Sequence, residues 1–183
     1  MSTISGLPAH ILLVHAVVVL IPLSAMLVVL VAVWPAARAR LVWPTAALAV
    51  LALVAVPLTT EAGEWLEHRV ARTPLVRAHT ELGDYMLPWA IGLALVALGI
   101  LARQVLEVRG ARAVAGDTRG LGRRSRGDVA VTVVVAVIAV IVAAGSVLTV
   151  YRIGDSGARA AWTGQFSEQA QLPPGGGPAP EGG

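Results

Sequence analysis

Four long apolar runs divide the chain, and its charged residues collect in the segments between them. The runs cover about residues 11–34, 42–60, 85–106 and 129–151. Each is near the roughly 20 residues that a transmembrane helix needs. None alternates as a barrel strand does, and in lipid only helices and closed barrels satisfy the backbone. The pattern predicts an all-α, integral membrane four-helix bundle within residues 1–162.

Residues 163–183 have a different composition and are predicted to lie outside the bundle. They end in "LPPGGGPAPEGG", which is too rich in Pro and Gly to pack. Such a segment is typical of a flexible extension.

Composition supports a membrane protein and removes several kinds of site. Hydrophobic residues make up 56% of the chain and charged residues only 14%, against roughly 25% charged in a soluble domain. Cysteine is absent, which excludes disulfides, thiolate metal sites and cysteine-ligated iron–sulfur clusters within this chain. The net charge is only +3 and the arginines lie in the connections. We therefore expect contact with membrane lipid and none with nucleic acid.

The charges of the connections predict the orientation. The first connection carries Arg38 and Arg40 without an acid, and the third, residues 103–128, holds seven Arg against three acids. The second, residues 61–84, has three Arg and five acids. The positive-inside rule places the first and third connections in the cytoplasm and both termini outside. The prediction is a multi-pass protein of the cytoplasmic membrane.

All four histidines then fall on the outer side. His10 and His15 open the first span, and the other two lie in the second connection. At about 100° per residue His10 and His15 point some 140° apart, so only one of them can face the bundle interior. His15 lies inside the apolar run, which favours it as the inner partner.

The segment "TTEAGEWLEHRV" predicts a short amphipathic helix in the outer loop between spans 2 and 3, capped by Thr59 or Thr60. Glu61, Glu64 and His68 would share one face of it. That face is either a metal-ligand or proton-transfer cluster, or a solvated surface on which Glu64 accepts a hydrogen bond from His68.

The third span is predicted to begin with Thr73 as a cap and Pro74 in the first turn. His79 then lies about one turn above the hydrocarbon, on the same face as Met86. On this placement His79 can meet His15. Two histidines on different helices are the minimal ligands of a haem b. The alternatives are a divalent metal held by His15, His68 or His79 with Glu64, and histidines that only hydrogen-bond across helix ends and lock the bundle.

The segment "YRIGDSGARAAW" follows the last span. Gly154 is suited to stop the helix, and Asp155 or Ser156 to cap a further turn that includes Gly157. If Asp155 faces His10 across the bundle, it would orient that imidazole.

Several of these motifs together resemble a known family. "GLPAHILLVH", "TTEAGEWLEHRV", "HTELGD" and "GDSGARAAW" occur at the span ends in the order seen in domain-of-unknown-function family 2231, the predicted four-helix bacterial membrane proteins. The resemblance covers roughly residues 6–162 and implies the four-helix fold. The positions that match the family pattern are His10, His15, His79, Glu61, Gly83 and Gly154–Gly157, with His68 a weaker match; Ile11 replaces the family's usual Pro.

The family has no established reaction, so the resemblance implies a fold and no mechanism. Some relatives are joined to Rieske-type iron–sulfur domains, which implies a redox partner. This chain has no cysteine for such a centre, so electron transfer would need a separate partner protein.

Three function classes follow from the sequence. The first is a haem b or metal-dependent redox component, with His15 and His79 as ligands and His10 and His68 as second ligands or proton carriers. The second is a non-catalytic scaffold or accessory subunit of a membrane complex, whose small residues such as Ala46 allow close helix approach. A transporter is least favoured, because no charged residue lies in the centre of a span.

Overall fold

The computed structural model describes residues 3–4, 6–114 and 126–165. Within that part, the strands are β1 (Thr3–Ile4) and β2 (Leu7–Pro8), which pair antiparallel. The helices are α1 (Ala9–Val33), α2 (Pro35–Glu67), α3 (Pro74–Gly83), α4 (Met86–Val114) and α5 (Arg126–Trp162). Much of the arginine-rich third connection, and the predicted tail beyond residue 165, lie outside the described residues.

The prediction of a helical chain with four helices long and apolar enough to span a membrane is confirmed, and the two-residue strands β1 and β2 were not predicted. Four stretches are long and apolar enough to cross a membrane: Ala9–Val33, Pro35–Glu67, Pro74–Arg112 and Gly127–Trp162. Each begins before the predicted apolar run, and all but the first also end after it, because the helices continue into the flanking polar residues.

The four long helices form a ring around a shared interior. α1 packs against α2 and α5, and α4 packs against the same two helices. The interior is made of small and branched side chains, among them the buried Ile21, Val28, Ala49, Ala52, Leu93, Ala97 and Ala139. Large apolar side chains on the outside, such as Val134 and Ile141 of α5, are more than half exposed, as suits a surface that meets lipid chains.

α4 and α5 approach closely where the Trp89 ring lies against Gly145. A Cβ built on Gly145 would be 2.1 Å from Trp89 Cη2. The ring therefore occupies the space that any larger residue at position 145 would need, which is how small residues bring membrane helices together.

A single residue, Trp34, separates α1 from α2, and a buried arginine secures this corner. Pro35 has no N–H to give the Val31 carbonyl. Arg38 supplies the missing donor. Its Nε donates to Val31 O at 2.8 Å, and its guanidinium also donates to Ala32 O at 2.9 Å. The last carbonyls of α1 are thus satisfied by a side chain of α2.

The predicted separate helix starting at Thr59 or Thr60 is wrong. α2 runs unbroken to Glu67. The two threonine hydroxyls donate back to Ala55 O and Val56 O instead of capping, which is compatible with a helix interior. The short helix of this connection is α3, whose predicted start is confirmed: Val76 N donates to Thr73 Oγ1 at 3.2 Å, with Pro74 in the first turn.

The predicted stop at Gly154 is also wrong, since α5 continues to Trp162. Gly154 keeps a helical backbone and has no atom within 4 Å of its would-be Cβ. Asp155 and Ser156 are consequently interior helix residues rather than caps. Ser156 Oγ donates to Ile153 O at 2.8 Å.

Candidate functional site

Two histidine rings lie together at one end of the bundle, where α1 begins and α2 and α5 end. We call this the histidine end. The rings of His10 and His79 have centroids 6.3 Å apart and planes inclined at 78°. His10 belongs to the first turn of α1 and His79 to α3. Both side chains are partly buried.

The His10 ring is held by α2. Its Nδ1 lies 3.0 Å from the Thr59 carbonyl oxygen, and a carbonyl can only accept, so Nδ1 carries the proton. In the neutral ring Nε2 is left with its lone pair. The ring is seated on Gly63, where a Cβ would be 3.0 Å from His10 Cε1.

The His79 ring is held in the same way by α5. Its Nδ1 lies 3.0 Å from Ser156 Oγ, whose hydroxyl hydrogen is already donated to Ile153 O. The imidazole therefore donates from Nδ1, and Nε2 again keeps its lone pair. A Cβ on Gly157 would be 2.9 Å from His79 Cε1.

The two halves of the chain build the site in equivalent ways. In the first half, α1 and α2, His10 near the start lies against Gly63 near the end of α2. In the second half, α3 to α5, His79 near the start lies against Gly157 near the end of α5. The ring order of the helices, with α1 and α4 both between α2 and α5, matches this equivalence. The pair thus lies where the halves meet.

His15 is not the inner partner, and its predicted meeting with His79 is wrong. His15 is exposed, and its Nδ1 bonds to the Ile11 carbonyl of its own helix. His10 faces the interior of the histidine end, and five residues of helix turn His15 about 140° away from it.

His68, Glu61 and Glu64 are not brought to the pair. All three are exposed, and the Arg72 guanidinium donates to His68 Nδ1 at 3.1 Å. Within the described part of the chain no group of three or more His, Asp or Glu is placed to hold a metal ion. The predicted metal set of His15, His68 or His79 with Glu64 is therefore not assembled.

Asp155 does not orient His10. It accepts a hydrogen bond from Arg159 Nε at 3.0 Å, one turn further along α5, while the Thr59 carbonyl orients His10. The sequence reasoning missed Thr59 and Gly63 as parts of the site. A usable signal is the recurrence of acid, small residue and glycine in "EAG" at 61–63 and "DSG" at 155–157.

Comparison with known proteins adds no relative. No family model matches the chain, and neither a curated protein nor a solved structure is significantly similar to it. The resemblance to domain-of-unknown-function family 2231 therefore stays a prediction.

Proposed function

We propose that the protein is a multi-pass component of the bacterial cytoplasmic membrane that binds a redox-active metal centre through His10 and His79. The centre is the iron of a haem b or a single transition-metal ion; both use the same imidazole ligands. The pattern of arginines supports a position at the outer leaflet, since the positive-inside rule assigns the opposite end, with Arg38 and Arg40, to the cytoplasm.

The observation that carries the proposal is the hydrogen bonding of the two rings. Both imidazoles donate from Nδ1, to a backbone carbonyl in one case and a serine hydroxyl in the other. Metal-ligating histidines almost always donate their second nitrogen in this way, because the bond fixes the tautomer and aims the free nitrogen. Both rings of the pair are therefore prepared as ligands.

The spacing of the rings is compatible with one metal between them. Two metal–nitrogen bonds of about 2.0 Å and two ring radii of about 1.1 Å would give a centroid separation of at most about 6.2 Å, reached when both nitrogens and the metal lie in one line. The observed separation is 6.3 Å. Because two ligands converge within the described residues, the remaining ligands would come from a porphyrin, water or a partner.

A structural role is the second candidate, and the same bonds favour it in a different way. His10 ties α1 to α2 and His79 ties α3 to α5, so the pair can lock the bundle without a metal. An accessory-subunit role based on small residues has less support, since most of these residues, among them Ala46, Ala49 and Ala97, are buried inside the bundle and are not available to a partner.

The test is an optical spectrum, oxidised and dithionite-reduced, together with elemental analysis of the full-length protein purified in mild detergent from cells supplied with haem precursor. We expect a Soret band with resolved α and β bands on reduction, or about one equivalent of a transition metal. His10→Ala and His79→Ala should each abolish the signal. The matched control is His15→Ala, whose exposed ring bonds only its own helix and whose loss should change nothing.

Two results would contradict the proposal. One is a wild-type protein that is colourless and metal-free after expression with both haem precursor and added metal. The other is full retention of the centre in the His10→Ala, His79→Ala double variant. In the first case a lowered thermal midpoint of both single variants would favour the structural role.

A further inference from the structure

A cleft of about 330 Å³ opens between α3 and α5 at the histidine end. Its α3 wall is apolar and consists of Leu75, Ala78 and Leu82, which share one helix face. Its α5 wall is polar and includes Arg152 and Asp155. An occupant must therefore have both an apolar part and a polar group.

Among the residues that the structure describes, the polar wall carries one positive charge more than it has carboxylates. Arg159, also in this wall, is neutralised by Asp155 at 3.0 Å. Arg152 makes no hydrogen bond or ion pair with any residue that the structure describes. A guanidinium presents several donors in a planar fork and is well matched to phosphate, so the cleft suits an anionic group.

The apolar wall is incompletely covered by the protein. None of the residues of α3 is buried, and Leu75 is 37% exposed. The short helix packs mainly on α5, and the cleft separates part of its apolar face from that helix. A hydrocarbon chain along Leu75 and Leu82 would remove this surface from water.

The position of the cleft indicates what can reach it. The apolar run of α5 ends at Tyr151 and the first charge after it is Arg152, so the cleft is level with lipid headgroups. Tyr151 and Trp162 are both exposed on α5, as expected for aromatic residues at a membrane interface.

From these observations we propose that the cleft is a binding site for one anionic phospholipid, with its phosphate on Arg152 and the start of an acyl chain along Leu75 and Leu82. A zwitterionic lipid fits less well, because its ammonium group would need a carboxylate and Asp155 is already paired with Arg159. The cleft shares Ser156 with the support of His79, but neither histidine lines it, so lipid binding does not require the proposed centre.

The experiment measures lipid binding to the full-length protein in mild detergent, by native mass spectrometry and by the thermal midpoint, with phosphatidylglycerol and phosphatidylcholine as probes. We expect about one phosphatidylglycerol per chain and a larger rise of the midpoint with it than with phosphatidylcholine. Arg152→Gln should weaken phosphatidylglycerol binding about tenfold, the loss of a charge-assisted contact. Arg72→Gln, an exposed arginine of the same end outside the cleft, should leave it unchanged.

Asp155→Asn provides a test in the opposite direction. It releases Arg159 to the cleft and should strengthen phosphatidylglycerol binding several-fold. Equal binding of the two lipids, unchanged binding in Arg152→Gln, the same loss in Arg72→Gln, or no gain in Asp155→Asn would each overturn the proposal. Because His10→Ala should keep the lipid and Arg152→Gln the metal, failure of one proposal is distinguishable from failure of the other.

Discussion

Gly145→Ala should destabilise the bundle, although alanine is the better helix former. The new Cβ would lie 2.1 Å from Trp89 Cη2 and 2.2 Å from Cζ3, whereas carbon atoms in contact prefer about 3.5–4.0 Å. The helices or the indole must therefore move by about 1.5 Å. Overpacking of this kind costs about 1–3 kcal/mol, and the helix propensity of alanine returns about 0.5–1 kcal/mol.

We expect a net loss of about 1 kcal/mol, a measurable fraction of a total stability of about 5–15 kcal/mol. Unfolding of the detergent-solubilised protein by sodium dodecyl sulfate, followed by circular dichroism, measures it. Gly154→Ala is the matched control on the same helix, because nothing lies within 4 Å of its new Cβ. It should be as stable as the wild type or more so.

A second substitution examines the cause of that loss. Trp89→Leu removes the ring that the new methyl group would overlap. Gly145→Ala should therefore lower the free energy of unfolding much less in the Trp89→Leu background, which gives a coupling energy of about 1 kcal/mol or more. If Gly145→Ala were as stable as Gly154→Ala, or equally damaging with and without Trp89, the packing account would fail.

Two other substitutions follow from the site and from the corner. Gly157→Ala would place a Cβ 2.9 Å from His79 Cε1 and displace the ring. We expect metal affinity to fall about tenfold or more, as it does when a ligand loses its hydrogen-bonded support. Elemental analysis of this variant and of Gly154→Ala measures the effect, and equal metal content in both would contradict it. Arg38→Gln should leave carbonyls of α1 without their donors and lower the free energy of unfolding by about 1–3 kcal/mol. Arg40→Gln, at an exposed position, should be neutral in the same unfolding assay. Similar midpoints for both variants would show that the Arg38 hydrogen bonds do not stabilise the corner.

The four spans could be predicted because the thickness of the bilayer sets their length, whatever the tertiary packing. The helix ends could not be predicted as well. Thr59 and Gly154 are residue types common at helix boundaries, but the Thr59 hydroxyl donates to a carbonyl of the preceding turn and Gly154 keeps a helical backbone, so both helices continue. The local sequence contains the residue types of a boundary without the geometry of one.

The sequence predicted that two histidines from different helices meet, but it assigned His15 to the pair where the structure has His10. Helical phase shows that His10 and His15 cannot both face inward, but which of them does depends on the rotation of α1 about its axis. That rotation is set by distant packing of residues such as Ile21 and Val28. The partner that orients His10 is a backbone carbonyl at Thr59, and a carbonyl has no signature in the sequence.

The one-residue corner at Trp34 lies at the end of the bundle opposite to the histidine end, and α2 connects the two. α2 starts at Pro35 and carries the Thr59 carbonyl to His10 at its far end, about 36 Å away at 1.5 Å per residue. Because a single residue joins α1 to α2, the turn at Trp34 fixes the rotation of α2 about its axis and therefore the direction of the Thr59 carbonyl. Inserting a single residue within α2, between Arg38 and Thr59, would rotate Thr59 by about 100° relative to this corner and move its carbonyl away from the imidazole, so the site at one end of the bundle depends on the register of α2 from the other end.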